Sequence, residues 1–166
     1  ANGVGTVLGS CMAEDNGIRV GNTTENINNK NCIIRNCTIS FDDSRLGNVE
    51  LAGGGVLFEN NYIKNACLVV LTDTFTSGET MRNTVKNNQF LWEWDIANEE
   101  IGADGAIATF RGVVLQAKDS VFENNTLINP TGFVVSTNLG EIYEFSNNTI
   151  ISTKDVSGYC ECIGKN

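Results

Sequence analysis

The sequence predicts an all-β chain wound into a solenoid of short parallel strands, and three observations carry that prediction. Five segments repeat without gaps around an invariant asparagine, short β-branched runs alternate with clusters of Asn, Gly, Asp and Ser, and helical periodicity is nearly absent. Asparagine supplies 23 of the 166 residues, often as Asn-Asn pairs.

The five segments are Cys32-Ile-Ile-Arg-Asn-Cys-Thr-Ile39, Val56-Leu-Phe-Glu-Asn-Asn-Tyr-Ile63, Asn83-Thr-Val-Lys-Asn-Asn-Gln-Phe90, Ser120-Val-Phe-Glu-Asn-Asn-Thr-Leu127 and Tyr143-Glu-Phe-Ser-Asn-Asn-Thr-Ile150. The fifth position is Asn36, Asn60, Asn87, Asn124 and Asn147. Two residues earlier stand Ile34, Phe58, Val85, Phe122 and Phe145; three residues later stand Ile39, Ile63, Phe90, Leu127 and Ile150. Each segment reads as strand, tight Asn turn, strand. A second beat, Cys67-Leu-Val-Val70 and Gly132-Phe-Val-Val135, comes seven or eight residues after its Asn, and Gly17-Ile-Arg-Val20 resembles it. The Asn spacings are 24, 27, 37 and 23 residues. About 23 residues suffice for one coil of three short strands, so the long interval is one coil plus an insertion, placed at residues 91–105.

Stacking gives the asparagines a physical reason. Equivalent residues of successive coils lie ~4.8 Å apart. Asn tolerates the left-handed backbone of a tight turn, and its amide both donates and accepts, so a column of amides can bond along the axis. The expected ladder is Asn36, Asn60, Asn87, Asn124 and Asn147, with Asn61, Asn88, Asn125 and Asn148 as a parallel column in which Cys37 takes the first place. Just before the ladder, Arg35, Glu59, Lys86, Glu123 and Ser146 alternate in sign, as an outward column at this spacing requires. One residue earlier, Ile33, Leu57 and Val121 would form an outward apolar stripe, either an interface or a surface covered by the insertion.

On this beat of an apolar residue, any residue, Asn-Asn, any residue, apolar residue, the chain resembles the right-handed parallel β-helix family, the pectate-lyase-like and phage-tailspike-like proteins. The resemblance covers about residues 17–155 and speaks for fold more than for function. It implies a right-handed single-stranded parallel β-helix of about six coils with an Asn ladder and a dry core. It also implies a secreted, cell-surface or virion location such as a phage tail, a bacterial surface or plant glycan as partner, and room for a homotrimer. Neither end of the sequence reads as a capping helix, so a fragment of a longer protein, or a piece that packs against partners, is expected; residues 156–166 read as a small final coil.

Composition narrows the chemistry. Without histidine there is no imidazole base, no Ser-His-Asp or Cys-His nucleophile and no His-ligated zinc. Eleven basic against twenty acidic residues, net charge −9, argue against nucleic acid. No apolar run approaches the ~18 residues of a membrane span. Six cysteines, at 11, 32, 37, 67, 160 and 162, match no zinc spacing and read as free thiols that fill small core spaces. Asn22, Asn36, Asn124 and Asn147 head glycosylation sequons, but three of these lie on the expected ladder, where a bonded amide would be turn chemistry instead.

The insertion holds both tryptophans and five carboxylates between Trp92 and Asp104. Long loops on rigid scaffolds concentrate function. Trp92 and Trp94 with Asp104 suit substrate binding, since an aromatic face covers the apolar face of a sugar and an acid bonds its hydroxyls. Glu93, Asp95, Glu99 and Glu100 are the candidate catalytic acids, at the ~5–9.5 Å separations of a carboxylate glycoside hydrolase. A polysaccharide lyase is the other enzyme class, with Arg82, Lys86, Arg111 or Lys118 as base. The alternative for the insertion is a loop that packs its tryptophans on the wall and exposes its acids to water. No cofactor is called for, although calcium is a further use for the acids. Asp42, Asp43, Asp73, Asp119 and Glu123 would line an acidic groove if they share a face. Against glycan binding or cleavage stands a second function class, a structural shaft or adhesin segment without chemistry of its own.

Overall fold

A computed structural model describes residues 18–20, 32–41, 47–51, 55–70, 82–93, 112–115, 120–130, 132–135 and 144–153. Among these residues the chain is all-β, with fifteen short strands in three five-stranded parallel sheets and no helix. The first sheet is ordered β1 (Ile18–Val20), β4 (Gly47–Leu51), β7 (Ala66–Val70), β10 (Gly112–Leu115), β13 (Gly132–Val135). The second runs β2 (Ile33–Arg35), β5 (Leu57–Glu59), β8 (Thr84–Lys86), β11 (Val121–Glu123), β14 (Glu144–Ser146). The third runs β3 (Thr38–Ser40), β6 (Tyr62–Lys64), β9 (Gln89–Leu91), β12 (Thr126–Ile128), β15 (Thr149–Ile151). The chain therefore visits the sheets in fixed rotation, and each strand pairs with the one three elements later. Five such layers are described.

Each repeat segment spans a second-sheet strand, a corner and a third-sheet strand. The two strands do not pair with each other, so the corner is not a hairpin. Its first residue, Asn36, Asn60, Asn87, Asn124 or Asn147, has φ between 53° and 56°. That left-handed conformation costs most residues about 1–2 kcal/mol but is tolerated by Asn. Each three-residue strand then points one side chain inward. In the second sheet these are Ile34, Phe58, Val85 and Phe122, in continuous register with Phe145; in the third they are Ile39, Ile63, Phe90 and Leu127, in register with Ile150.

The second beat of the sequence is the first sheet. Residues 18–20, 67–70 and 132–135 fall in β1, β7 and β13, with β4 and β10 between them. Val49, Leu68 and Val113 stand in register there. Together with Leu51 and Leu115 they meet the inward residues of the other two sheets in one hydrophobic core. Phe122 stacks on Phe145 with ring centroids 5.6 Å apart.

The corner corrects one expectation. The first Asn of each pair is exposed, and the amide column is built by the second. The left-handed residue turns the chain so that its own side chain points out and its successor's points in.

These assignments predict graded effects on urea unfolding. Phe58→Ala should cost about 3–5 kcal/mol, the usual cost of emptying a buried aromatic site. Asn60→Val should cost about 1–2 kcal/mol through the left-handed corner, while Asn60→Gly should be nearly neutral. Equal effects of Val and Gly at position 60 would refute the conformational role.

Candidate functional site

Asn61, Asn88 and Asn125 are buried, and together with Asn148 they form a column of carboxamides one layer apart. The Nδ2 of Asn61 donates to Oδ1 of Asn88 at 3.1 Å, Asn88 to Asn125 at 3.0 Å, and Asn125 to Asn148 at 3.2 Å. The same Oδ1 atoms accept the backbone N–H of the Asn one layer before, at 2.9 Å from Asn61, 3.0 Å from Asn88 and 2.9 Å from Asn125. The second proton of each Nδ2 goes back one layer: Asn61 to the Ile34 carbonyl, Asn88 to Phe58, Asn125 to Val85 and Asn148 to Phe122. For Asn88 and Asn125, two donors and two acceptor sites are thus all used, the condition under which a buried amide is stabilising. Cys37 heads the column, its backbone N–H donating to Asn61 Oδ1 at 3.0 Å while its thiol turns to the Arg35 carbonyl.

A second set of amides, which the repeat did not reveal, closes the third sheet. Asn65 and Asn129 are left-handed, with φ of 55° and 57°. Oδ1 of Asn65 accepts the Glu93 N–H at 2.8 Å, and Oδ1 of Asn129 accepts both the N–H and the hydroxyl of Thr153. The signal was available: both come after a strand whose middle residue is an inward Ile or Leu, as Ile63-Lys64-Asn65 and Leu127-Ile128-Asn129. Asn83 acts alike before β8, accepting the Val56 N–H.

The candidate sugar-binding residues separate. Trp92 is 0% exposed and stacks on Phe90, centroids 5.8 Å apart. Its backbone N–H donates to the Ile128 carbonyl, so it continues the wall beyond β9 and presents no face to solvent. This is the wall-packed alternative of the sequence reading, and the sugar-facing expectation for Trp92 is corrected accordingly. Its indole N–H has no partner among the described residues, so the site rewards the ring's apolar bulk more than its polar edge. Glu93 is exposed, and its carboxylate pairs with the Lys64 ammonium at 2.7 Å. Trp94, Asp95, Glu99, Glu100 and Asp104 lie outside the described residues, as do Asp42, Asp43, Asp73, Asp119, Arg111, Lys118 and Asn22. Of the insertion's first residues, Leu91 ends β9 and Trp92 belongs to the wall.

The outward charges of the second sheet alternate as expected. Glu59 lies between Arg35, at 4.0 Å, and Lys86, at 3.7 Å. Solvent-accessible pairs of this kind are worth about 0–1 kcal/mol each. Beside them Ile33 is 42% exposed, whereas Leu57 is half-buried and Val121 buried, so the outward stripe is open at one end only. Cys32 and Cys37 are free thiols, and burial pushes the Cys32 thiol above its ordinary pKa. Asn36, Asn124 and Asn147 of the sequons are exposed, contrary to the expectation of engaged amides. Among the described residues no three His, Cys, Asp or Glu side chains group closely enough to hold a metal ion, and no helix is long and apolar enough to cross a membrane.

No family model, no characterised protein and no solved structure matches the chain.

Two substitutions test these placements by urea unfolding. Asn88→Leu strands the Asn61 donors and the Phe58 carbonyl and should cost at least about 3 kcal/mol, at roughly 1–3 kcal/mol per buried unsatisfied group; Lys86→Ala beside it should cost under about 1 kcal/mol. Trp92→Phe should be tolerated within about 1.5 kcal/mol and Trp92→Ala should cost about 3–5 kcal/mol. Near-neutral Trp92→Ala would return this residue to the surface.

Proposed function

We propose that the chain is a right-handed parallel β-helix segment serving as a rigid structural wall, a shaft or adhesin-like part of an extracellular or virion surface protein. The fixed rotation through three parallel sheets supports the solenoid, and strand–crossover–strand connections between parallel neighbours are right-handed in about 98% of cases. The observation that carries the structural role is the amide column, which links the second through the fifth described layers by side-chain hydrogen bonds. Polar side chains that would otherwise be available to a ligand are turned to holding one layer on the next. The location rests on the resemblance to surface β-helices.

One observation favours a second reading, glycan binding. Residues 92–111 separate β9 from β10, against single or few residues at the corresponding β6–β7 and β12–β13 connections. This long connection carries Trp94, Asp95, Glu99, Glu100 and Asp104. Glycoside cleavage would need at least two of these acids across a groove, with Glu93 released from Lys64.

A glycan array of bacterial surface and plant polysaccharides separates the readings. The structural role predicts no saturable binding. Saturable binding that Trp94→Ala abolishes and Gln89→Ala on the third sheet leaves intact would establish the glycan reading in its place.

A further inference from the structure

Five Asn-x-Ser/Thr triplets occur in the chain, at Asn22, Asn36, Asn124, Asn129 and Asn147. Asn22 lies outside the described residues, and the other four sort by one rule. Asn36, Asn124 and Asn147 are left-handed corner residues with exposed side chains. Asn129 is buried, and its Oδ1 is occupied by the N–H and hydroxyl of Thr153. Of the four, Asn129 alone is followed by proline, Pro130, and a middle proline disqualifies the triplet as a glycan acceptor. The inward amides Asn61, Asn88, Asn125 and Asn148 have Ile63, Phe90, Leu127 and Ile150 two places on, never a hydroxyl. Strand alternation accounts for this: an inward Asn is followed two residues later by an inward apolar residue, an outward Asn by an outward polar one. The acceptor triplets therefore coincide with the amides that the fold leaves in water.

Asn124 carries this furthest, because described layers lie on both sides of its corner. Its N–H donates to the Ser146 carbonyl at 3.0 Å, and the Glu123 carbonyl before it accepts the Asn87 N–H at 3.1 Å. Its exposure thus does not come from standing at an end of the described stack. Among the described residues, neither the Asn124 carboxamide nor the Thr126 hydroxyl has a hydrogen-bond partner. Asn125 between them turns into the amide column, and Leu127 after them is buried, so Asn124 and Thr126 share the outer side of the wall.

We propose that Asn124 is an acceptor for an N-linked glycan, carried on the outer edge where the chain passes from the second sheet to the third. The donor is a lipid-pyrophosphate-linked oligosaccharide. Nδ2 of Asn124 forms a bond to the anomeric carbon of the first sugar, and the bond from that carbon to the pyrophosphate oxygen breaks. The lipid pyrophosphate leaves, one Nδ2 proton passes to solvent, and nothing is oxidised or reduced. The transfer removes no hydrogen bond from the fold, since the Asn124 backbone stays on Ser146 and the column runs through Asn125. At Asn125 the same transfer would remove a proton that bonds either Asn148 or the Val85 carbonyl. A glycan is bulky and belongs on a surface, and Asn124 serves the corner through its backbone alone. Only the surface location is taken from the reading above, so a secreted chain unmodified at Asn124 would refute the acceptor site and leave the structural role standing.

Peptide mapping of the full chain secreted from eukaryotic cells tests the proposal, before and after release of glycans by an amidase in heavy-oxygen water. The peptide holding Asn124 should carry a glycan and take up heavy oxygen on release. Thr126→Ala and Asn124→Gln should each abolish that label. Gln89→Thr, at an exposed position, completes the same triplet at Asn87 and should make that outward corner a new acceptor. Glycosylated and released chains should unfold at the same urea concentration. A secreted chain without a glycan at Asn124, or a label that survives Thr126→Ala, would overturn the proposal. So would an unfolding midpoint raised by release, which would mean that the glycan works against the wall.

Discussion

The structure depends on the buried carboxamides of Asn61, Asn88 and Asn125. An amide removed from water without partners costs several kcal/mol, and these are removed almost completely. They are satisfied only if the next layer places an Asn one strand spacing away and in phase. A slip by one residue would turn the amide outward and drive a neighbour such as the left-handed Asn or Gln89 into the core. The column therefore selects register with more force than the apolar columns beside it, since Phe, Ile and Val tolerate sliding past one another far better than an amide tolerates a missing partner. It also explains why the residues between successive members vary. The spacings of 27, 37 and 23 residues all end in hydrogen bonds of about 3 Å. What happens between two rungs is free so long as the chain returns in phase, and that is the physical licence for the long connection between β9 and β10.

The Asn-Asn pair divides its labour. The first member contributes a conformation: a left-handed residue that redirects the chain from one sheet to the next, with its side chain exposed. The second contributes hydrogen-bonding groups and is exposed little or not at all. Cys37 fits this division. It fills the second place in the layer where no preceding amide is described, its backbone N–H still serves Asn61, and the missing carboxamide leaves one acceptor site on Asn61 Oδ1 unused by the column. Asn is thus asked for twice, for different physical reasons.

Much of this was legible in the residues. The inward columns, the outward charge alternation around Glu59 and the strand–corner–strand reading all derive from period and phase. The identity of the buried Asn did not, because sequence period locates a pair at a corner but not the sense in which a single left-handed residue rotates its successor. Asn65 and Asn129 were hidden because their column is mixed: Phe41, Asn65, Trp92 and Asn129 are related by successive layer-to-layer backbone hydrogen bonds, and no composition rule joins an aromatic to an amide. Trp92 was misplaced for the same reason. Beside Glu93, Trp94 and Asp95 it reads as part of an acidic aromatic loop, whereas its register makes it a continuation of β9, flat against Phe90. The candidate acids beyond it carry no period at all, and period was the source of every correct placement.

The root of the long connection bears on how any chemistry there would work. A flexible loop must lose conformational entropy before it can hold a ligand, and that loss subtracts from affinity. Here residues 92 and 93 are held at three atoms: the Trp92 N–H on Ile128, the Glu93 N–H on Asn65, and the Glu93 carboxylate on Lys64. With Trp92 wedged in the core, Trp94 is only two residues along the sequence from a rigid anchor. Burying the first tryptophan therefore removes it as a ligand-facing group and at the same time shortens the tether of the second. The Glu93–Lys64 pair is the exposed member of this anchor, and its attraction is the part that salt would weaken; the two backbone bonds and the buried indole would hold the root in place without it.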